Sequence, residues 1–499
     1  MVSKRTTEYL IPIILLVFSS GLILANLGNI YLWEDEAHTA LLAKTVLSHG
    51  VPLAYDGKNY FSQLWGRDYG KSFIWKWHPW FPFYLLAGFM PVFGTSNFAV
   101  RLPFALMGIG TVLLTYFFAA SLWRNRRAGV LSATVLLASV PFLLLVRQCR
   151  YYSPDIFFSL LGLYGYYGML EQRKRSGLIF ALSAILLFHT QFVQCAALLA
   201  AVVTHSLLFR RKALKSVLIL SGIVTLVCMP WVIWFSSLGR EVSAYGSLVS
   251  RMSVVGSYLI PQTFKHIFPP LILVLPIVLF AVGRLRHKPK SMGRQEQHNL
   301  ALLLLFAFFT IATLSLSAPN TFFRYLAPLI PVACIIMGLI IESGMKVHPA
   351  VGVIIIGLLA WWWRMPSYLY EITHDYNGPI EGVVTYLNAH AGPDDVVAVT
   401  HEDLPIKWYT NLRVIGPVSG EDFKPALNAD WLVLRQQVTD PDYPFIGFLM
   451  KSIPWGKYEQ IPLPYPDIVF ENREDPEEHH FRTVENPDSP VVIYRRTRR

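Results

Sequence analysis

Charged residues are scarce in this chain. Asp, Glu, Lys and Arg make up 15% of its 499 residues, whereas about 25% is usual for a soluble globular chain. That shortage excludes an ordinary water-soluble enzyme of this length. Cysteine is scarce too. Cys149, Cys195, Cys228 and Cys334 lie far apart, in or beside apolar runs, with no CxxC pair and no metal-ligand spacing. They read as small apolar packing residues, so neither a zinc module nor a disulfide framework is implied. No internal repeat or low-complexity tract stands out.

Apolar residues fill the space left by the missing charge. Hydrophobic residues reach 54% and aromatics 14%, a composition that suits a polytopic membrane protein with aromatic belts at its surfaces. A net charge of +11 suggests nucleic acid in isolation. The basic residues, however, cluster in short links between apolar runs, as cytoplasmic loops facing anionic lipid do. No nucleic-acid partner is expected, and the bilayer is.

A spanning helix needs about 20 apolar residues. The first run, "YLIPIILLVFSSGLILANLG" (9–28), follows Lys4 and Arg5 without a clear cleavage site. It reads as a retained helix with its amino end in the cytoplasm. Further runs occupy 98–122, 128–146, 153–171, 177–188, 192–208, 214–236, 268–283, 298–317, 322–341 and 349–364. The basic links "RNRR" (124–127), "RKR" (173–175), "RRK" (210–212), "RLRHKPK" (284–290) and Lys346 would face the cytoplasm. The outer links are then 29–97, 147–152, 189–191, 237–267 and 318–321. "FPFYLLAGFMPVF" (81–93) is short and bounded by proline, so it reads as an interfacial helix and not a crossing. The expectation is eleven spans in residues 1–364 and a soluble extracytoplasmic α/β domain over 365–499. In that domain, helices are expected at 379–392 and 402–411, and strands at 395–400 and 430–435.

Three carboxylates in a row, Glu34, Asp35 and Glu36, open "EDEAHTALLAKTVLSHG" (34–50) directly after the first span. Apolar spacing predicts an amphipathic helix over 36–48 along the outer membrane surface, stopped by Gly50 and Pro52. Asp35 could simply cap that helix, since acids suit its positive end. Two neighbours on a helix point about 100° apart, so Asp35 and Glu36 cannot both cap. The topology also brings Arg147 and Arg150, His189, Arg324 and His78 to the same membrane face. Each has a plain alternative: arginines at helix ends snorkel to headgroups, His189 could bond a backbone carbonyl, and His78 could be one more belt residue. Together they would suit an anionic lipid-linked substrate.

The stretch "DEAHTALLAKTVLSHGVPLAYDGKNY" resembles the first-loop motif of GT-C fold polyprenyl-phosphate-sugar glycosyltransferases, the group of protein O-mannosyltransferases and lipid A aminoarabinose transferases. "HPWFPFYLLAGFMPVFGTSNFAVRLPFAL", "RQCRYYSPDIFFSLLGLY" and "FRYLAPLIPV" match in type and order, over about residues 10 to 345. The resemblance implies a polyprenyl-phosphate sugar as donor and a glycan, lipid or protein hydroxyl as acceptor. Carried over, Asp35 is the catalytic base, Glu36 its supporting acid, and Arg324 the arginine on the donor phosphate. Arg147 and Arg150 would share that role, and so would His78, which falls where the family has Lys or His near the donor phosphate. Tyr152 stands where many members carry Asp, with Asp155 three residues on; His189, Tyr152 and Asp155 would line a substrate pocket. "HPW" replaces the family's usual "PP". The "RYYS" stretch is similar to the subgroup acting on bacterial glycans and lipopolysaccharide, which implies a bacterial inner membrane. No cofactor is required. A divalent cation could sit near Asp35 and Glu36, because hard cations favour carboxylate oxygen. A transporter or flippase for a lipid-linked glycan is the alternative from another class; it would more often show inverted repeats and broken central helices.

Overall fold

The computed structural model describes residues 4–237, 248–275, 277–278, 292–317, 322–435, 444–468, 475–479, 481 and 490–497. The expected link 284–290 and outer link 318–321 lie outside the described residues, and the span 268–283 and link 237–267 do so in part.

Apolar runs become helices because a buried backbone must satisfy its own N–H and C=O groups. In the amino-terminal part these are α1 (Lys4–Leu24), α2 (Glu34–His49), α3 (Phe81–Phe93), α4 (Asn97–Leu122), α5 (Arg126–Ala138), α6 (Val140–Val146), α7 (Tyr152–Leu170), α8 (Ser176–Phe188), α9 (Phe192–Phe209) and α10 (Arg211–Ser237). After a helical stretch at 248–267 come α11 (Arg294–Ser317), α12 (Leu329–Met345), α13 (Ala350–Trp362) and α14 (Met365–Thr373). Among the described residues, α4, α9, α10 and α11 are long and apolar enough to cross a bilayer; counting each bent pair, α5–α6 and α13–α14, as one span gives six. This is coarser than the eleven spans expected.

Two of the expected runs are not single rods. Residues 128–146 split at Ser139, where α5 and α6 meet at 71°. Pro141 enters the first turn of α6, where its missing N–H is tolerated. The run 322–341 begins as a 3₁₀ turn, Phe323–Leu326, and α12 starts only after Pro328. Arg324 therefore sits on a turn ahead of the helix. At the α5–α12 crossing, a Cβ on Gly338 would lie 2.7 Å from the Ser132 backbone nitrogen, so the close approach depends on glycine.

One large apolar core joins α1, α4–α9, α11 and α12. A second, smaller core lies under the first loop. It packs Ala37, Leu41 and Leu42 of α2 against Phe83 and Leu86 of α3, Phe104 of α4, Trp75 and Leu404.

The carboxyl-terminal part is an α/β unit. Its five-stranded sheet runs β2-β1-β3-β5-β4, with β1 (Val396–Val399), β2 (Arg413–Ile415), β3 (Trp431–Leu434), β4 (Tyr458–Pro466) and β5 (Pro490–Arg496). β1 pairs in parallel with β2 and β3, whereas β5 runs antiparallel to β3 and β4. Helices α15 (Pro379–His390), α16 (Asp403–Tyr409) and α17 (Pro444–Ser452) accompany it. The expected strands and helices coincide with β1, β3, α15 and α16; the shorter or more polar β2, β4 and β5 gave no periodic signal. Residues 365–373, assigned by sequence to this unit, pack on the bundle instead. Tyr368 is wholly buried in the helical core and its hydroxyl donates to the Leu22 carbonyl at 2.7 Å.

Candidate active site

Helix α2 begins two residues earlier than the cap reading requires. Its N-cap is Trp33, with no side-chain capping bond, so Asp35 is not the cap. Nor does α2 lie half-exposed on a surface, because residues 35–43 are buried throughout. Helix α3 covers one side and α16 the other, which an amphipathic pattern does not anticipate. The expected stop holds: Gly50 takes φ +77° and its N–H closes on the Val46 carbonyl.

Freed from capping, Asp35 turns into a cluster drawn from three distant segments. Arg150 Nη2 and Arg324 Nη1 both lie 3.1 Å from Asp35 Oδ2. The Tyr152 hydroxyl stands 3.5 Å from the same oxygen. Gln63 Nε2 donates to Oδ1 at 2.9 Å. Arg150 is also pinned by the Asp35 carbonyl and the Thr39 hydroxyl, each at 3.1 Å. Arg324 stacks over Phe322 at 4.2 Å. Asp35 retains 7% exposure, so the cluster is nearly dry and its electrostatic interactions are correspondingly strong.

Glu36 does not join this cluster, which corrects its assignment as a supporting acid. It is fully buried, and Arg101 grips it bidentately, Nε to Oε1 at 2.7 Å and Nη2 to Oε2 at 2.6 Å. The Cys149 N–H donates to Oε1 at 2.8 Å. Arg101 spends its remaining N–H groups on the Leu27, Ile30 and Tyr31 carbonyls. This pair fastens α2 to α4 and to the end of the first span. Arg147 is likewise elsewhere. Its Nη1 closes the α1 carboxyl end, donating to the Ile23 carbonyl at 2.7 Å and Ala25 at 2.8 Å. Helix-end carbonyls attract a cation in the same way a phosphate would, so position alone could not separate the two roles.

The histidines lie at the edge. His78 packs on Trp75 and on Tyr151, with ring centres 6.0 and 5.8 Å apart, and Tyr151 in turn carries Arg150. His189 meets Trp231 edge-on at 5.4 Å, and its carbonyl accepts the Phe81 N–H; it belongs to the tryptophan belt. Asp155 is buried in the first turn of α7 without reaching Asp35, and its Oδ1 has no hydrogen-bond partner. His38, one turn along α2 from Asp35, is buried beside Trp75. Burial, then the nearby Arg150 charge, push its imidazole down to about 3, so it is neutral at physiological pH. Among the described residues no group of three or more His, Cys, Asp or Glu side chains is placed to hold a metal.

The carboxyl-terminal unit docks directly on the first loop. Tyr409 stacks on Tyr31, and its hydroxyl accepts the Leu32 N–H at 2.8 Å and donates to Asn97 Oδ1 at 2.5 Å. Lys407 donates to the Tyr60 carbonyl and Asn59 to the Leu412 carbonyl. Glu34 accepts the Leu404 N–H at 3.2 Å. Burial, with Asp403 close by, holds the Glu34 carboxyl well above the usual carboxylate range. A raised carboxyl contributes its stability below its ordinary value near 4.5 and loses it as pH rises through the raised one. Glu34→Gln keeps the shape without the charge. Its thermal midpoint is expected to exceed that of the wild type at pH 8 and to match it at pH 4.

The sequence reading missed Gln63 and Arg101. Arg101 sits in an apolar helix, where an unpaired charge is costly; that anomaly was the available signal. Gln63 lies in an irregular loop and offered none.

The same architecture occurs in other proteins. Residues 77–234 match the family model described as Dolichyl-phosphate-mannose-protein mannosyltransferase. An uncharacterized protein of Aquifex aeolicus (strain VF5) is 27% identical over 177 residues, which are 34% of this chain and 31% of the relative. ArnT from Cupriavidus metallidurans bound to undecaprenyl phosphate superposes with a TM-score of 0.61 at 14% identity, covering 99% of this chain and 98% of that one. The Archaeoglobus fulgidus oligosaccharyltransferase tethered to an acceptor peptide gives 0.57 at 11% identity, over 92% of this chain and 69% of that chain. The chain thus has the GT-C fold, and over residues 77–234 it matches the family model of the mannosyltransferases that its ordered motifs resemble.

Proposed function

We propose that the protein transfers a sugar from a polyprenyl-phosphate carrier to an acceptor hydroxyl, with Asp35 as base and Arg150 and Arg324 on the donor phosphate. One observation carries this reading: a single carboxylate oxygen holds two guanidiniums at 3.1 Å in a chain of GT-C fold. Two cations and one anion leave one positive charge in excess. The donor is a phosphodiester with one negative charge, and the departing polyprenyl phosphate gains a second. The cluster therefore favours the charge that develops during transfer over the charge already present. The undecaprenyl phosphate bound by ArnT supports the same donor class.

In the step itself, the acceptor oxygen bonds to C1 of the sugar as the C1–O bond to phosphate breaks. The bonding pair moves onto the phosphate oxygen, where the guanidiniums receive it. The acceptor proton passes to Asp35. One base and in-line attack invert the anomeric centre. Tyr152 and His78 would border the sugar, and Glu36 would act through the fold alone. The acceptor is a glycan, a lipid or a protein. The chain would cross a bacterial inner membrane eleven times, amino end in the cytoplasm and carboxyl-terminal unit outside, as the basic links suggest. No cofactor takes part. Two guanidiniums on Asp35 oppose a divalent cation there, so chelation should leave the rate unchanged.

Purified protein given a polyprenyl-phosphate sugar and acceptor should release free polyprenyl phosphate. Movement of intact donor across a vesicle without release would instead establish the flippase alternative.

A further inference from the structure

In the loop between α2 and α3, Gln63 bonds the Asp35 carboxylate. The fold of this loop is dictated by a buried acid. Asp68 is fully buried; it accepts the Ser62 hydroxyl at 2.6 Å and the Gln63 backbone N–H at 2.8 Å. The Gly66 N–H closes back on Ser62 Oγ at 2.8 Å. Residues 62–68 thus wrap one carboxylate, and the Gln63 side chain is left facing Asp35.

The tip of this loop is clamped from the carboxyl-terminal unit. The Trp65 N–H donates to the Val418 carbonyl at 2.8 Å. Gly420 sits so close that a Cβ on it would lie 2.4 Å from the Gly66 nitrogen, and its φ is +76°. Both conditions exclude any other residue without a shift of the loop.

Both arginines pull on Oδ2 of Asp35, whereas Gln63 bonds Oδ1. A swivel about the Cβ–Cγ bond moves both oxygens, so the two guanidiniums oppose it at Oδ2. Gln63 adds a neutral donor at Oδ1, so the plane is held at both oxygens without added charge. Proton transfer needs the base within about 2.6–3.2 Å of its target, and a displacement of about 1 Å can cost up to roughly 10²-fold.

We propose that Gln63 is a positioning residue that sets the plane of the Asp35 carboxylate, and that the carboxyl-terminal unit holds it there through the Val418–Gly420 turn. This rests on the transferase reading above. It also gives the carboxyl-terminal unit a role in turnover besides covering the site.

The test compares wild type with Gln63→Met, which keeps the length and removes the donor, and Gln63→Glu, which sets a second carboxylate against Asp35. Free polyprenyl phosphate release gives kcat and the donor KM, and a thermal midpoint checks the fold. For Gln63→Met, kcat should fall by about tenfold, within the range that misplacement produces, with donor KM within about twofold. Gln63→Glu should fall further. Gly420→Val should repeat the kcat-selective loss although it touches neither substrate nor Asp35. Gln63→Met with wild-type kcat overturns the proposal, as does a rise in donor KM at constant kcat, which would make Gln63 a donor-binding group. An inactive wild type overturns the transferase reading and this inference with it.

Discussion

Asp35→Asn is expected to lower turnover by about 10²–10⁴-fold, the usual worth of a positioned proton acceptor. The replacement keeps volume and can still accept hydrogen bonds, but it takes up no proton. Charge gives the prediction a second component. Wild type presents two guanidiniums and one carboxylate; the variant presents two cations with no counter-ion. Affinity for a phosphate-bearing lipid should therefore hold or increase while turnover collapses. Loss of kcat with an unchanged or lower donor KM marks a residue used in the transition state. A parallel loss of lipid binding would instead mean that Asp35 merely keeps the arginines in place. Steady-state release of polyprenyl phosphate, with donor concentration varied, separates the two.

Arg101→Met should have the largest effect on the folded state. The guanidinium is nearly excluded from solvent and satisfies Glu36 and three backbone carbonyls at once. Removing one partner of such a pair strands the other charge in a dry site, at a cost of about 3–5 kcal/mol. That is a large fraction of the roughly 5–15 kcal/mol that holds a typical domain folded. The variant should fail to accumulate as a monodisperse protein, and the double variant with Glu36→Gln should recover part of the loss because no buried charge is then left alone. Thermal unfolding in detergent reads both. An Arg101→Met protein with the wild-type midpoint would show that the pair is not what joins α2 to α4.

Part of the candidate site was legible where chemistry and topology coincide. An acid directly after a long apolar run and arginines at the ends of distant runs pointed to one membrane face, the family resemblance picked out Asp35 and Arg324 on it, and the structure brings these two together with Arg150. Their neighbours were harder to sort. Glu36 stands beside Asp35 in the chain yet points elsewhere, and only its partner 65 residues away shows why. Arg147 is three residues from Arg150 yet closes the end of α1. Spacing along the chain gives a direction around a helix, not the identity of the group met there. Helix positions were readable from apolar runs, but Pro141 and Pro328 broke two of them. The packing of α2 was not readable at all, because its second cover, α16, arrives from a segment over 350 residues later.

Binding of undecaprenyl phosphate tests the central claim most directly. Titrated into wild type, Arg324→Ala and Arg150→Ala in detergent, with undecaprenol as the uncharged control, it should bind wild type at least about tenfold more tightly than either variant, in keeping with one lost charge-assisted phosphate contact of about 1.5–3 kcal/mol. Undecaprenol should not distinguish the three proteins. Equal affinity of the phosphate lipid for wild type and both variants would contradict the account.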